Sequence, residues 1–255
     1  MGQLSLPGRA RLWAEAMEAT ASAEGGRARL GREVKTLGGA WRDFLRRRSP
    51  WLILAAIAGA ATARIAIGGF GWWDLAAVAA MLVVYPFGEW AIHVFLLHMK
   101  PFEVRGRRVH PIAARAHRAH HQEPGDLDMV LLYWWQVASL LLMAVPITVA
   151  AGGLVAWLIG GAVPWGSLVS GLLTGYLLVL TYEWTHFLIH TAYRPRTPLY
   201  RSIWRNHRLH HFKNEHYWHG ITQNVSDRVL GTNPDQSEVP RSDTARTLDA
   251  GTPTG

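Results

Sequence analysis

Cysteine is absent from this sequence. That excludes disulfides, zinc ribbons, Cys-ligated iron–sulfur clusters and thiol nucleophiles, and it leaves redox chemistry silent about compartment. Charge is sparse too, at 17% of residues against 49% hydrophobic. Acidic residues are the scarcer sign, with 18 Asp and Glu against 26 Lys and Arg, so the formal charge is +8. A nucleic-acid binder with that excess would cluster Lys and Arg with exposed aromatics on a soluble domain. Here the 13 Trp lie mainly in or beside apolar runs, so no nucleic-acid partner is expected. A cleavable signal is not expected either, because no apolar core follows an N-terminal charge cluster.

What the sequence does have is four apolar segments. They cover residues 51–70, 73–98, roughly 138–160 and roughly 166–190, each near the 20 or so residues that a membrane span needs. Arg64 interrupts the first. The third begins with an interfacial lead-in, Met129–Val137, and contains Pro146, which neighbouring helices can accommodate. The expected fold is all-α: an integral membrane protein with about four transmembrane helices and a cytosolic, His-rich helical cap. Four buried soluble helices are the alternative, disfavoured because the runs are long and nearly free of charge.

Three parts are expected. Residues 1–50 form a basic, amphipathic cytosolic segment, in which Leu30, Val34, Leu37, Trp41, Phe44 and Leu45 recur at helical spacing. Such a helix would lie in the headgroup layer or pack on the protein's own cytosolic face. Residues 51–232 form the membrane-embedded domain. Residues 233–255, rich in Pro, Ser, Thr, Asp and Gly, read as a disordered tail. Of the Lys and Arg residues, only Arg64 lies outside residues 1–50, the 99–128 loop and the region after 193. By the positive-inside rule both termini and that loop are cytoplasmic.

All 13 histidines fall between residues 93 and 219, and ten of them form four motifs. These are His93 with His98; His117, His120 and His121; His186 with His190; and His207, His210 and His211. Each H-x-x-H-H motif follows the cytosolic exit of a span, so the topology brings all four to one membrane–cytosol boundary. Histidine is the commonest metal ligand among side chains. Within H-x-x-H-H the positions i, i+3 and i+4 share a helical face, as do His186 and His190. His93 and His98 stand about 140° apart on an ideal helix, which predicts that they flank two ions rather than grip one. Ten imidazoles oversupply one ion; split between two they give about five each. Glu89 and Glu183, each just before the first histidine of its half, are candidates to accept the distal N–H of a ligating imidazole. Pairing with a nearby Arg is the alternative. His110, His216 and His219 lie outside the motifs and read as core or interfacial histidines.

The four motifs, straddling membrane spans, resemble those of the fatty acid hydroxylase/sterol desaturase superfamily of membrane di-iron oxygenases, over roughly residues 85–232. The segments N-H-R-L-H-H-F at 206–212, G-I-T at 220–222 and D-R-V-L-G-T at 227–232 are most similar to fatty acid 2-hydroxylases. The resemblance implies the ten motif histidines as ligands of two iron ions, with O2 as co-substrate. It also implies a lipid substrate drawn from the bilayer and a separate electron donor or reductase. Imidazole alone does not choose among Zn, Cu, Fe and Ni, and zinc could replace iron in a purified protein. Apolar residues such as Leu177, Leu178, Phe187 and Leu188 shape a substrate tunnel or simply pack the bundle. The expected reaction is hydroxylation or desaturation of a lipid acyl chain, with carotenoid or sterol oxidation in the same superfamily as the rival. From other classes come a membrane metal transporter or sensor, and a zinc-dependent hydrolase.

Overall fold

The computed structural model describes residues 30–248. The expectations for residues 1–29 and 249–255 therefore lie outside the described residues. Four helices are long and apolar enough to cross a membrane: α2 (Arg48–Ile67), α3 (Trp72–Ala91, running on to Leu97), α5 (Trp134–Ile159) and α6 (Trp165–Ile189). They fall on the four apolar segments within a few residues. The difference is at α5, which starts at Trp134, so Trp134 and Trp135 belong to the helix rather than to a lead-in. The side chain of Gln136 reaches back to the Tyr133 amide at 3.0 Å and caps that first turn.

α6 is central and packs on α2, α3 and α5. Its closest neighbours are admitted by small residues. A Cβ on Gly171 would sit 3.7 Å from Ala77 of α3, and one on Gly175 would sit 3.2 Å from Met81. α3 and α5 instead expose apolar side chains such as Leu82, Val83, Leu142 and Ile147, as lipid-facing surfaces do.

Arg64 is only 2% exposed. Its guanidinium lies 2.7 Å from Asp74 of α3 and 2.9 Å from the Ser170 hydroxyl of α6, and it donates to the Gly68 carbonyl at 2.7 Å. The charge that interrupts the first span thus ties three spans together at the end remote from the histidines. A buried cation at membrane depth needs such partners.

At the other end lie the cap elements. Helix α1 (Leu37–Phe44) precedes α2. A small hairpin (β1 Phe102–Val104, β2 Arg107–Val109) and helix α4 (Ile112–Gln122) follow α3. Helices α7 (Pro198–Phe212) and α8 (Val225–Val229) follow α6. Val34, Ala40 and Phe44 bury themselves against Leu127, Val130, Phe187 and Leu188. The segment around α1 therefore packs on the protein's own face. The same contacts make Phe187 and Leu188 core residues, while Leu177 is 46% exposed on the bundle surface.

The expected disorder from residue 233 is not what residues 233–248 adopt. Val239, Ala245 and Leu248 are buried, and the Ser242 amide donates to the Lys213 carbonyl at 2.8 Å. Arg246 Nε donates to the His121 carbonyl at 2.9 Å, so the tail satisfies carbonyls left open at the end of α4. A polar composition did not prevent order because neighbouring helix ends supply hydrogen-bond partners.

Candidate metal centre

The first histidine pair owes its geometry to a change of helix type. The last six residues of the second span, Ile92–Leu97, form a π-helix, and the His98 amide donates to the His93 carbonyl at 3.1 Å. An i→i+5 hydrogen bond adds a residue to the turn, so residue 98 comes under residue 93 instead of 140° away. The two rings approach to 4.9 Å between centroids. This corrects the expectation that the pair flanks two ions: both face one cluster.

Ten histidines converge in two groups of five. His93, His98, His117, His121 and His210 form one; His120, His186, His190, His207 and His211 form the other. In each group the five potential ligand nitrogens lie within 4.8 Å of one another. The halves of the chain are interleaved. His117 and His121, one turn apart on α4, serve the first group, while His120 between them serves the second. On α7 the pattern inverts: His207 and His211 serve the second group and His210 the first. The rings of His121 and His211 stack at 4.1 Å and join the two groups.

Four rings turn Nδ1 toward backbone carbonyls: His93 to His219 at 2.6 Å, His121 to Ala245 at 2.9 Å, His190 to Pro124 at 2.8 Å and His210 to Tyr217 at 2.8 Å. A carbonyl only accepts, so each Nδ1 carries the proton and each Nε2 presents a lone pair. Those lone pairs meet other imidazole nitrogens. His117 Nε2 lies 3.1 Å from that of His93 and 3.2 Å from that of His121. His207 Nε2 lies 3.0 Å from those of His190 and His211. One ring proton cannot satisfy two lone pairs. His120 has both nitrogens buried without a hydrogen-bond partner among the described residues, and His186 Nε2 is in the same state. Two nitrogens each about 2.0–2.1 Å from a common ion stand about 2.9–3.4 Å apart at the usual coordination angles. The spacing and the donor set fit a cation in each group. The two clusters could hold metal ions.

Electrostatics agree. Burial pushes His117, His120, His207, His210 and His211 well below their ordinary range, and repulsion among neighbouring imidazoles pushes them further. Burial likewise takes His121 down to about 4, against the pull of the Ala245 carbonyl, and His190 down to about 3. Neutral imidazole is the form that ligates.

Glu89 and Glu183 do not take the role expected of them. Glu89 accepts from the Ile221 and Thr222 amides at 2.6 and 3.1 Å and pairs with the Thr222 hydroxyl. Glu183 accepts from the Ser49 hydroxyl at 3.2 Å and the Leu132 amide at 3.3 Å. Both carboxylates organise loops, and backbone carbonyls orient the imidazoles in their place. No side-chain pattern could have announced that, because every residue carries a carbonyl.

His219, set aside in the sequence, is buried, and its ring lies 5.1–5.7 Å from those of His93, His98 and His210. Asp227 holds its loop by accepting from the His219 and Gly220 amides at 2.9 and 2.7 Å. Gly220 is required there, since a Cβ would sit 1.9 Å from the Gln223 carbonyl oxygen. The G-I-T and D-R-V-L-G-T segments are thus the scaffold behind the first cluster. His110 and His216 stay outside both clusters.

Residues 78–232 match the family model for fatty acid hydroxylase. The chain belongs to the fatty acid hydroxylase family. Among curated proteins it is similar to two of Arabidopsis thaliana. One is dihydroceramide fatty acyl 2-hydroxylase FAH2, 26% identical over 62% of this chain and 60% of that protein. The other is dihydroceramide fatty acyl 2-hydroxylase FAH1, 28% identical over 63% of this chain and 61% of that protein. The chain therefore spans about three fifths of the length of these relatives. Its fold is similar to a solved structure described as full-length Scs7p with only the hydroxylase domain visible. The TM-score is 0.53 at 20% identity, covering 75% of this chain and 65% of that one. The family match takes in all four histidine motifs and runs from residue 78 to Thr232, so α1, α2, the first turn of α3 and the ordered tail lie outside it.

Proposed function

We infer that this membrane protein is an O2-dependent hydroxylase of a lipid acyl chain, with the ten motif histidines holding two iron ions. The observation that carries this reading is the pair of five-imidazole clusters at one end of a four-span bundle. Zinc has no redox chemistry, whereas oxidation of an unactivated C–H bond needs an ion that can use O2. Bound iron would supply that O2-activating redox chemistry. The overall balance is R–H + O2 + 2 e− + 2 H+ → R–OH + H2O.

The chain's own share is positioning and exclusion of water. His93, His98, His117, His121 and His210 would hold one ion, and His120, His186, His190, His207 and His211 the other. The carbonyls of His219, Ala245, Pro124 and Tyr217 hold four of these rings in the ligating tautomer. Burial of the clusters keeps bulk water away from the reacting carbon. The names of the curated relatives make a 2-hydroxy acyl lipid the first product to seek. The distribution of Lys and Arg supports a cytoplasmic site and cytoplasmic termini, with two electrons per turnover coming from a separate donor. A transporter would place ionisable groups near the bilayer midplane, and the clustering at one end of the spans speaks against that reading.

The test is expression in cells, profiling of acyl lipids, and turnover under 18O2. Iron-loaded protein is expected to hold about two Fe per chain and to place one 18O in a hydroxyacyl product. A protein that excludes iron, binds zinc tightly and leaves the lipid profile unchanged would sink the proposal.

A further inference from the structure

The hydroxylation proposed above consumes two electrons that no residue of this chain can supply, so a reduced partner must approach the clusters. Helix α7 has two faces. The inner one carries His207, His210 and His211. The outer one carries Arg201, Arg205, Arg208 and Phe212, spaced by 4, 3 and 4 residues and all exposed. Because the inner face meets histidines at the ends of the membrane spans, the outer face points away from the bundle. From 191 to 213 the chain has six cations and no acidic residue. Asp235 partly offsets Arg205; no ion pair among the described residues involves Arg201 or Arg208.

Phe212 is 38% exposed and has the Arg208 and Arg246 guanidiniums over its ring at 5.3 and 5.8 Å. Its ring is 6.3 Å from that of His211, which stacks on His121 at 4.1 Å. These two histidines belong to different clusters. A cavity of about 260 Å3 beside them, with Arg32, Arg208 and Phe212 in its wall, reaches His190 and His211. On this side the cavity links the buried centre to a surface that carries Arg32 and Arg208.

We propose that the outer face of α7, centred on Phe212 and flanked by Arg201 and Arg208, docks an acidic one-electron carrier protein, and that electrons enter at His211. Each encounter oxidises one reduced carrier by one electron, two encounters supply the two electrons of one turnover, and bound iron would be their acceptor. The proposal rests on the iron reading above. Electron-transfer encounters use small interfaces and rely on charge for steering, which matches a short row of arginines around one aromatic ring.

The test uses the full chain, iron-loaded, in nanodiscs of neutral phosphatidylcholine. Reduced plant-type ferredoxin serves as the acidic carrier and dithionite as the small reductant. R201E/R208E is expected to slow ferredoxin association by about tenfold or more at low ionic strength, with the difference closing at high salt. Metal content and the dithionite rate should be unchanged, and R208K should associate as wild type does. Equal association by wild type and R201E/R208E overturns the proposal, as does wild type that fails to bind ferredoxin at low salt. A defect seen only when anionic lipid is added also overturns it and assigns the face to headgroups. If dithionite fails to reduce the wild-type metal, the iron reading fails, while ferredoxin association still judges the docking face.

Discussion

The Nε2 atoms of His98 and His210 stand 3.2 Å apart although 112 residues separate them. His210 is the one histidine of its half in the first cluster, and His120 is the reciprocal visitor in the second. Each cluster is therefore closed by a residue from the other half, and neither half can complete a cluster alone.

That exchange predicts matched defects. His120→Ala and His210→Ala should each abolish hydroxylated product and lower bound metal from about two ions per chain toward one, with membrane insertion intact. Metal analysis of the purified variants, alongside lipid profiling, checks it. Normal turnover by either variant would remove that residue from the site.

The tail gives a second prediction. Deleting residues 241–255 removes the Ala245 carbonyl that orients His121 and the Arg246 contact to the end of α4. Loss of such an orienting partner typically weakens metal affinity about 10–100-fold. A chelator titration of the truncated protein measures it; affinity equal to that of the full chain would contradict the role given to Ala245.

Glu89→Ala should cost stability rather than chemistry in the first instance. It leaves the Ile221 and Thr222 amides buried without their acceptor, a loss of about 1–3 kcal/mol. Because the same loop carries His219, a lowered Tm is expected together with weaker metal retention. An unchanged Tm would show that water replaces the carboxylate.

Removing the metal should expose a pH dependence of known sign. In the folded chain His121 titrates at about 4 and His190 at about 3, against 6.5 in an unfolded one. Between those values the unfolded state binds more protons. The metal-free protein should therefore keep its stability above about pH 6.5 and lose it as pH falls toward 4, by up to about 3 kcal/mol for His121 alone. Thermal unfolding of chelated protein from pH 8 to pH 5 tests this, and a flat profile would contradict the burial of these rings as neutral groups.

At the far end of the bundle, Arg64→Leu should destabilise more than R64L/D74L does. A single removal leaves Asp74 facing Ser170 without its cation, whereas removing both partners leaves no uncompensated charge. Unfolding midpoints of the two variants in detergent decide it; equal losses would mean that the pair is not coupled.

The spans, their order and the two H-x-x-H-H helix faces were legible in the sequence, because hydropathy and helical period are local properties of a chain. So was the number of imidazoles, and with it the division into two groups of about five. Three things were not legible. The pairing of His93 with His98 depends on a π-helical turn, which five-residue spacing read on an ideal α-helix places 140° out. The roles of Glu89 and Glu183 depend on which amides the loops at 132 and 221–222 bring to them. The order of residues 233–248 depends on helix ends that lie far away in sequence. By itself the sequence determined a metal-ready, four-span membrane protein. Only the tertiary structure decided which histidine joins which cluster and which carbonyl orients it, since hydrogen bonds to the backbone carry no side-chain signature.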